Sequence, residues 1–347
     1  MNSLDILKNK GQSIWLDSIS KQMIDSGDLK KIIDEGVTGI TSNPSIFEKA
    51  ITSTNFYDLE IEKAITKNND TKSIFEKIAS NDIQKGADLL LETYEKTNQD
   101  DGYISLEVDP SLANNKDKTI DEAIKLWEKV DRPNLMIKIP GTKSGIKSTE
   151  ILLEMGINVN VTLLFSFKSY QNTLNAFINS RKKNNKSRSV ASFFISRIDT
   201  AADSKINNES IIFHKVAIAN AYNAYDYFNK NRFRMDNNFQ KLLWASTSVK
   251  SKDLKEDYYS VNLPHENTIN TLPPETLNFM LNSKQFENNH IDYFKNNYAK
   301  TLTESQKFFN LEDITDGLLI NGIDLFMNSY NSLLEKLGEK AKKFTKT

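Results

Sequence analysis

At residues 135–142 the sequence reads LMIKIPGT, an apolar run with one lysine at its centre and a Pro-Gly turn at its end. This composition is typical of a strand that is buried on both faces of a parallel sheet. A charged ammonium group is unfavourable there unless it is paired or releases its proton. Lys138 therefore has two interpretations. Either its ammonium group reaches water at the strand end, or it is a buried amine that forms a Schiff base with a carbonyl substrate.

Seven other segments resemble this one in length and in apolar or β-branched content. The eight predicted strands are 13–17, 39–43, 103–108, 135–139, 158–164, 190–195, 242–245 and 268–272. Segments of helical periodicity separate them, such as 119–130, where apolar residues recur at spacings of three and four. This alternation predicts parallel strands with helical crossovers. Eight such units favour a closed (β/α)8 TIM barrel of the α/β class.

An open, doubly wound sheet is the alternative fold. It is expected to carry a glycine-rich loop after its first strand, but residues 17–20 read DSIS. We therefore predict a single barrel domain over residues 1–347. A helical insertion of two or three helices is expected at 44–101, after the second strand, and extra C-terminal helices are expected after residue 272. The last of these helices is predicted at 323–341.

Composition limits the classes of function. The 347 residues include 45 Lys+Arg and 46 Asp+Glu, giving a formal net charge of -1, whereas nucleic-acid-binding proteins usually have a basic excess. No apolar run is long enough to span a membrane, and the first residues lack the apolar core of a signal peptide. We expect a cytoplasmic protein that binds neither nucleic acid nor membranes. The oligomeric state stays open, with a homodimer as one option.

Polar residues occur at alternate positions in several predicted strands, although strands of this kind are normally apolar. In the segment 158–164, Asn158, Asn160 and Thr162 share one face. The same alternation pairs Asp17 with Trp15, Glu107 with Ser105, Asn43 with Thr41, and Ser192 with Phe194. A solvent-facing strand would give this pattern once, but not in five or six strands of a βα repeat. We expect these side chains to point into the barrel near its C-terminal mouth.

The residue types indicate a chemistry. Lys138 supplies an amine, and Asp17 and Glu107 supply two carboxylates that can move protons. Hydrogen bonds to hydroxyls and to a developing imine are offered by Thr162, Asn43 and Asn160. This set suits reversible carbon–carbon cleavage through a Schiff base. No metal or other cofactor is expected, because the 3 histidines lack ligand spacing and there are 0 cysteines.

A phosphate site is predicted at the ends of the sixth and seventh strands. Ser192, Arg197, Ser246 and Lys250 offer hydroxyls and two cations, which suit a phosphate. The alternative for Arg197 is a surface salt bridge with Asp199 or with a helix residue.

Seven motifs in register resemble the transaldolase family, over essentially the whole chain. They are TSNPSIFEK (41–49), LEVDP (106–110), MIKIP (136–140), NVTLLF (160–165), SFFISR (192–197), WAST (244–247) and NTLPP (270–274). The resemblance implies a cytoplasmic transferase of the pentose phosphate pathway. Such an enzyme moves a dihydroxyacetone unit from sedoheptulose 7-phosphate to glyceraldehyde 3-phosphate, giving erythrose 4-phosphate and fructose 6-phosphate.

The resemblance also implies roles for single residues. Lys138 would form the Schiff base, Asp17 would transfer protons on the donor ketose, and Glu107 with Thr162 would hold the catalytic water. The substrate-binding residues would be Thr41, Asn43, Asn160 and Phe194 around the sugar, and Ser192, Arg197 and Ser246 at its phosphate. One position departs from the best-studied branch, since Ser248 stands where that branch has an arginine. The longer bacterial branch resembles this chain more, and Lys250 is expected to replace that arginine.

Two other functions compete with this one. Short fructose-6-phosphate aldolase relatives resemble the barrel but release free dihydroxyacetone, and they have Gln at the position of Glu107 and Tyr at the position of Phe194. A non-catalytic barrel that binds sugar phosphates is the alternative from another class. It would gain nothing from a buried Lys138.

Overall fold

The computed structural model of the chain describes residues 2–65, 70–184, 186–235, 238–283 and 290–344. Within these residues, neighbouring strands pair in parallel in sequence order, and the last strand pairs with the first, so the sheet closes into a barrel. The strands are β1 (Gln12–Leu16), β2 (Gly39–Ile40), β3 (Ile104–Glu107), β4 (Leu135–Pro140), β5 (Val159–Leu164), β6 (Ser189–Phe194), β7 (Lys241–Ala245) and β8 (Thr268–Leu272). The predicted (β/α)8 barrel is confirmed.

The helices surround the barrel and cover its ends. In the described part of the chain they are α1 (Ser3–Asn9), α2 (Lys21–Asp25), α3 (Asp28–Asp34), α4 (Pro44–Thr52), α5 (Asp58–Ala64), α6 (Thr71–Lys96), α7 (Lys116–Val130), α8 (Lys143–Glu154), α9 (Phe167–Ser180), α10 (Ser196–Asp203), α11 (Val216–Asn231), α12 (Tyr258–Asn262), α13 (Pro274–Asn282), α14 (Ile291–Ser305) and α15 (Leu311–Phe344). Short 3-10 helices lie at Pro110–Leu112 and Arg232–Arg234. None of the described helices is both long and apolar enough to cross a membrane.

The turn after β4 shows how the sequence sets these boundaries. The hydroxyl of Thr142 accepts a hydrogen bond from the Gly145 backbone N–H at 2.9 Å and so caps the first turn of α8. β2 ends before the predicted residue 43 for a related reason. The side chain of Asn43 accepts a hydrogen bond from the backbone N–H of Ile46 and caps α4.

The predicted insertion after the second strand is present as α4, α5 and α6, and its residues 66–69 lie outside the described ranges. α6 is 26 residues long and leads directly into β3. Tyr57, just before α5, donates a hydrogen bond to Asp82 of α6 at 2.7 Å, which joins the two helices inside the protein.

The C-terminal helix differs from its prediction. α15 begins at Leu311, not at residue 323, and runs for 34 residues. Gly317 and Gly322 lie inside it, and glycines in a helical pattern weaken a sequence-based assignment. The helix contacts α4, α6, α10 and β5. It therefore crosses the end of the barrel at which the strands terminate.

At the opposite end, two residues contradict the expectation that the inward polar positions all lie near the mouth. Trp15 is fully buried and donates from Nε1 to Asp101 Oδ1 at 2.8 Å, just before β3 begins. A Cβ on Gly39 would lie 2.3 Å from the Trp15 ring, so this position requires glycine. Asn158 donates to the carbonyls of Pro133 and Leu135, where β4 starts. Both side chains close the amino-terminal end of the barrel.

Candidate active site

A cavity of about 200 Å³ opens at the carboxyl ends of the strands. The predicted residues in its walls are Asp17, Thr41, Asn43, Lys138, Thr162, Ser192, Phe194, Arg197, Ser246 and Lys250. The two other predicted residues flank Lys138 within the sheet, since Glu107 of β3 and Asn160 of β5 are its register partners on either side. The residues predicted from the sequence therefore converge on one site.

Lys138 is buried at the base of this cavity, with 5% of its surface exposed. Its Nζ donates to the Ser42 carbonyl oxygen at 2.9 Å and lies 3.2 Å from Glu107 Oε2. The ring of Phe326, from α15, lies over Nζ at 5.6 Å. A buried cation needs such partners to offset its lost hydration. The alternative of an ammonium group in water at the strand end is wrong, because the amine faces the cavity from inside the barrel.

Glu107 has an unusual protonation equilibrium. Burial, with a smaller contribution from nearby Asp17, outweighs the opposing effect of the Lys138 cation and raises the pKa of its carboxyl to about 7. Its Oε1 is buried and has no hydrogen-bond partner among the described residues. Thr162 Oγ1, on β5, is likewise buried and has no hydrogen-bond partner among the described residues. Buried polar atoms of this kind are usually satisfied by a water or a ligand.

Asp17 follows β1 and is held by Thr41. Thr41 Oγ1 donates to Asp17 Oδ1 at 2.6 Å and lies 2.7 Å from Thr271 Oγ1. Burial raises the pKa of Asp17, while Lys138, the Thr41 hydrogen bond and Arg197 act in the opposite direction. A carboxyl group with a raised pKa beside a buried lysine is suited to accepting and returning a proton.

The polar side chains around Lys138 form a connected row. Ser192 donates to Asn160 Oδ1 at 2.7 Å, and Asn160 Nδ2 donates to Ser105 Oγ at 3.0 Å. This row crosses from β6 through β5 to β3. It fixes the orientation of the Asn160 amide beside the lysine.

The outer part of the cavity is positive. Arg197 Nη1 is buried without a hydrogen-bond partner in the described residues, and burial lowers the pKa of the guanidinium. Its Cζ lies 5.6 Å from the ring centre of Phe194. The predicted alternative, a salt bridge between Arg197 and Asp199, is absent from the ion pairs of the described residues, and Asp199 instead accepts from the Ala217 backbone N–H. Ser246 and Lys250, which follow β7, line the same cavity as Arg197.

Some groups of the site were not predicted from the sequence. The Ser42 carbonyl is a backbone group, so no side-chain type indicates it. Thr271 lies within the NTLPP motif, where alternation along β8 gives a usable signal. Phe326 has no local signal, because its place depends on how α15 crosses the barrel.

The comparisons with known proteins agree with this geometry. The family model described as Transaldolase/Fructose-6-phosphate aldolase matches residues 14–337. A transaldolase of Trichodesmium erythraeum is 39% identical, with 99% of each chain covered. Transaldolase 2 of a Nostoc species is 37% identical, covering 99% of this chain and 98% of the relative. A transaldolase of Mycolicibacterium smegmatis is 34% identical, with 96% of each covered. On fold, site and sequence together, the chain belongs to the transaldolase/fructose-6-phosphate aldolase family.

Proposed function

We propose that this chain, acting as one barrel domain over residues 1–347, is a transaldolase. It moves a dihydroxyacetone unit from sedoheptulose 7-phosphate to glyceraldehyde 3-phosphate and yields erythrose 4-phosphate and fructose 6-phosphate, reversibly. The observation that carries the proposal is a buried lysine amine at the base of a cavity lined by Arg197 and Lys250, with two carboxyl groups of raised pKa around it. Relatives that are named transaldolase match at least 96% of the chain.

The reaction begins at Lys138. Its neutral amine attacks the C2 carbonyl of the donor ketose, and loss of water gives a protonated imine. Asp17 accepts the proton of the C4 hydroxyl, the C3–C4 bond breaks, and its electron pair neutralises the imine to an enamine. The shortened aldehyde leaves. The enamine then attacks the acceptor aldehyde, Asp17 returns the proton, and water releases the new ketose.

Glu107 and Thr162 are assigned to the water that is lost and regained. Each has a buried oxygen without a partner among the described residues, and a shared water satisfies both. A Glu107 carboxylate activates this water for imine hydrolysis, and its conjugate acid helps the water to leave. No metal or other cofactor takes part in this scheme.

The sugar and its phosphate occupy the two parts of the cavity. Asn43, Thr41 and Asn160 orient the dihydroxyacetone hydroxyls, and Phe194 forms the apolar wall. The phosphate is held by Ser192, Arg197, Ser246 and Lys250. Two cations and two hydroxyls suit the charge of a phosphate monoester.

Transfer is distinguished from release by supplying an acceptor. With fructose 6-phosphate and erythrose 4-phosphate, we expect sedoheptulose 7-phosphate to form, and without an acceptor we expect little free dihydroxyacetone. Glu107 and Phe194 support this outcome, because the releasing relatives have Gln and Tyr at these positions. Free dihydroxyacetone as the main product at saturating acceptor would identify a lyase instead.

Replacing Lys250 by methionine tests the phosphate end. The side chain is exposed, lines the cavity and donates to Ser248 Oγ at 2.9 Å. Loss of one charge that holds ground state and transition state alike should raise KM about 3- to 10-fold and change kcat less than about twofold. Lys252→Met is the control, since Lys252 is also exposed but is not among the wall residues. An unchanged KM for Lys250→Met would rule out the phosphate role.

Location and assembly complete the proposal. The composition and the resemblance support a cytoplasmic location, and we propose a homodimer as the assembly. Light scattering on the purified protein should then give about twice the chain mass of 39.6 kDa. A mass equal to one chain would exclude the homodimer.

A further inference from the structure

The C-terminal helix places one side chain directly over the lysine amine. Phe326, near the middle of α15, is 5% exposed and lines the cavity. Its ring centre lies 5.6 Å from Lys138 Nζ. The distance is within the range in which a cation is attracted to an aromatic face. The cover over this nitrogen therefore comes from a residue far away in the sequence.

The helix is anchored on both sides of Phe326. One turn before it, Gly322 lies against Leu163 of β5, and a Cβ on Gly322 would be 3.0 Å from Leu163 Cδ2. On the other side, Ser329 Oγ lies 2.8 Å from Ser45 Oγ of α4. Ser332 Oγ also donates to Glu48 Oε1 at 2.6 Å. These contacts fix the height of the ring above the lysine.

The β5 contact joins the helix to the strand that carries Thr162. Leu163 has a φ of +58°, which is uncommon for a residue other than glycine. The β5–β6 register shifts between Val161 and Leu164. The backbone departure that follows Thr162 thus lies directly under Gly322. Helix and strand form one packed unit at the mouth.

We propose that Phe326 determines the fate of the enamine, covering the Lys138 nitrogen so that the three-carbon unit is transferred and not released. This inference rests on the proposed function. In transfer, the enamine C3 forms a bond to the acceptor aldehyde carbon, and the acceptor oxygen takes a proton. In release, C3 takes a proton from water, and a second water hydrolyses the imine to free dihydroxyacetone and the lysine amine. The two routes differ in whether water reaches C3 before the acceptor does.

Phenylalanine suits this role for two reasons. Its ring face attracts the protonated imine that exists before bond cleavage and again after attack on the acceptor, and it covers the neutral enamine between these steps. Its edge has no hydrogen-bonding group, so it does not position a water above C3. A smaller side chain lacks the ring face, and a hydroxylated ring carries a group that can position a water above C3.

The test measures two rates in Phe326→Ala and Phe326→Tyr. One rate is transfer from fructose 6-phosphate to erythrose 4-phosphate, and the other is release of free dihydroxyacetone without an acceptor. We expect the ratio of release to transfer to rise about tenfold in the alanine variant and about threefold in the tyrosine variant. Leu325→Ala is the control, because Leu325 is on the same helix but 45% exposed. Its ratio should match the wild type.

The tyrosine variant keeps the ring that packs at the mouth, so its ratio of release to transfer can be measured even if the alanine variant does not fold. An unchanged ratio in the variants that fold would overturn the role of Phe326 and leave the proposed function intact. If the wild type itself shows no transfer and no borohydride-trapped imine, the proposed function fails on its own. A ratio that rises equally in Leu325→Ala would also overturn the inference, because the effect would then belong to the helix as a whole.

Discussion

Replacing Lys138 by alanine is expected to lower the rate of transfer by about 10⁴-fold or more, because the amine that forms the imine is gone and no other step can substitute for it. The fold should remain. Without the Lys138 cation, which lowers the pKa of Glu107, that carboxyl becomes protonated more readily and stays buried as a neutral group. A coupled assay for glyceraldehyde 3-phosphate measures the rate, and circular dichroism with thermal unfolding measures the fold.

Lys241 supplies a matched control for this substitution. It also lies on a barrel strand, as the first residue of β7, and is buried at 7% exposure. Its ion-pair partner is Asp100. Lys241→Ala should therefore cost stability and leave transfer within about threefold of the wild type, since an ion-pair partner is lost far from the cavity. Turnover near the wild-type level in Lys138→Ala would show that the reaction does not need an imine on Lys138.

Replacing Glu107 by glutamine should lower kcat for transfer by about 10²-fold, because a positioned acid–base group is lost while the shape is retained. The wild-type kcat/KM should fall as the pH drops below about 7. The pKa of Glu107 is about 7, so its carboxylate gains a proton in this range. The variant should lack this acidic limb. A full pH profile of both proteins measures this, and an acidic limb that persists unchanged near pH 7 in Glu107→Gln would assign it to another group.

The same raised pKa has a consequence for stability. The folded state holds a proton on Glu107 up to a pH of about 7, whereas an unfolded glutamate releases it near its ordinary pKa of 4.5. Stability gained from this group is therefore present at low pH and is lost as the pH rises through this window. Between pH 5 and pH 8, the wild type should lose free energy of unfolding relative to Glu107→Gln. Urea unfolding of both proteins at the two pH values measures the difference, and a gap that does not change with pH would contradict it.

Much of the barrel could be predicted from the sequence because its strands are short apolar runs between helical segments. The height of a residue inside the barrel could not be predicted. Alternation gives the face of a strand, but the stagger between strands decides which end a side chain reaches. Trp15 and Asn158 show this, since the side chains of both bond to groups that lie just before other strands begin.

The site was predictable where chemistry-bearing side chains occur on the strands themselves. Lys138, Glu107 and Asp17 stand out because charged groups are unusual in buried strands. Phe326 and the Ser42 carbonyl do not stand out. An apolar residue in a long helix is ordinarily part of the core, and a backbone carbonyl has no signature in the sequence. Their roles depend on packing between segments that are distant along the chain.

The central claim, that Lys138 forms an imine with a ketose phosphate, is tested most directly by reductive trapping. The protein is incubated with fructose 6-phosphate, treated with borohydride, digested and analysed by mass spectrometry. We predict an irreversible mass increase on the peptide that contains Lys138, and none when borohydride is added without the sugar. A label on a different lysine, or no label on any peptide, would contradict the account.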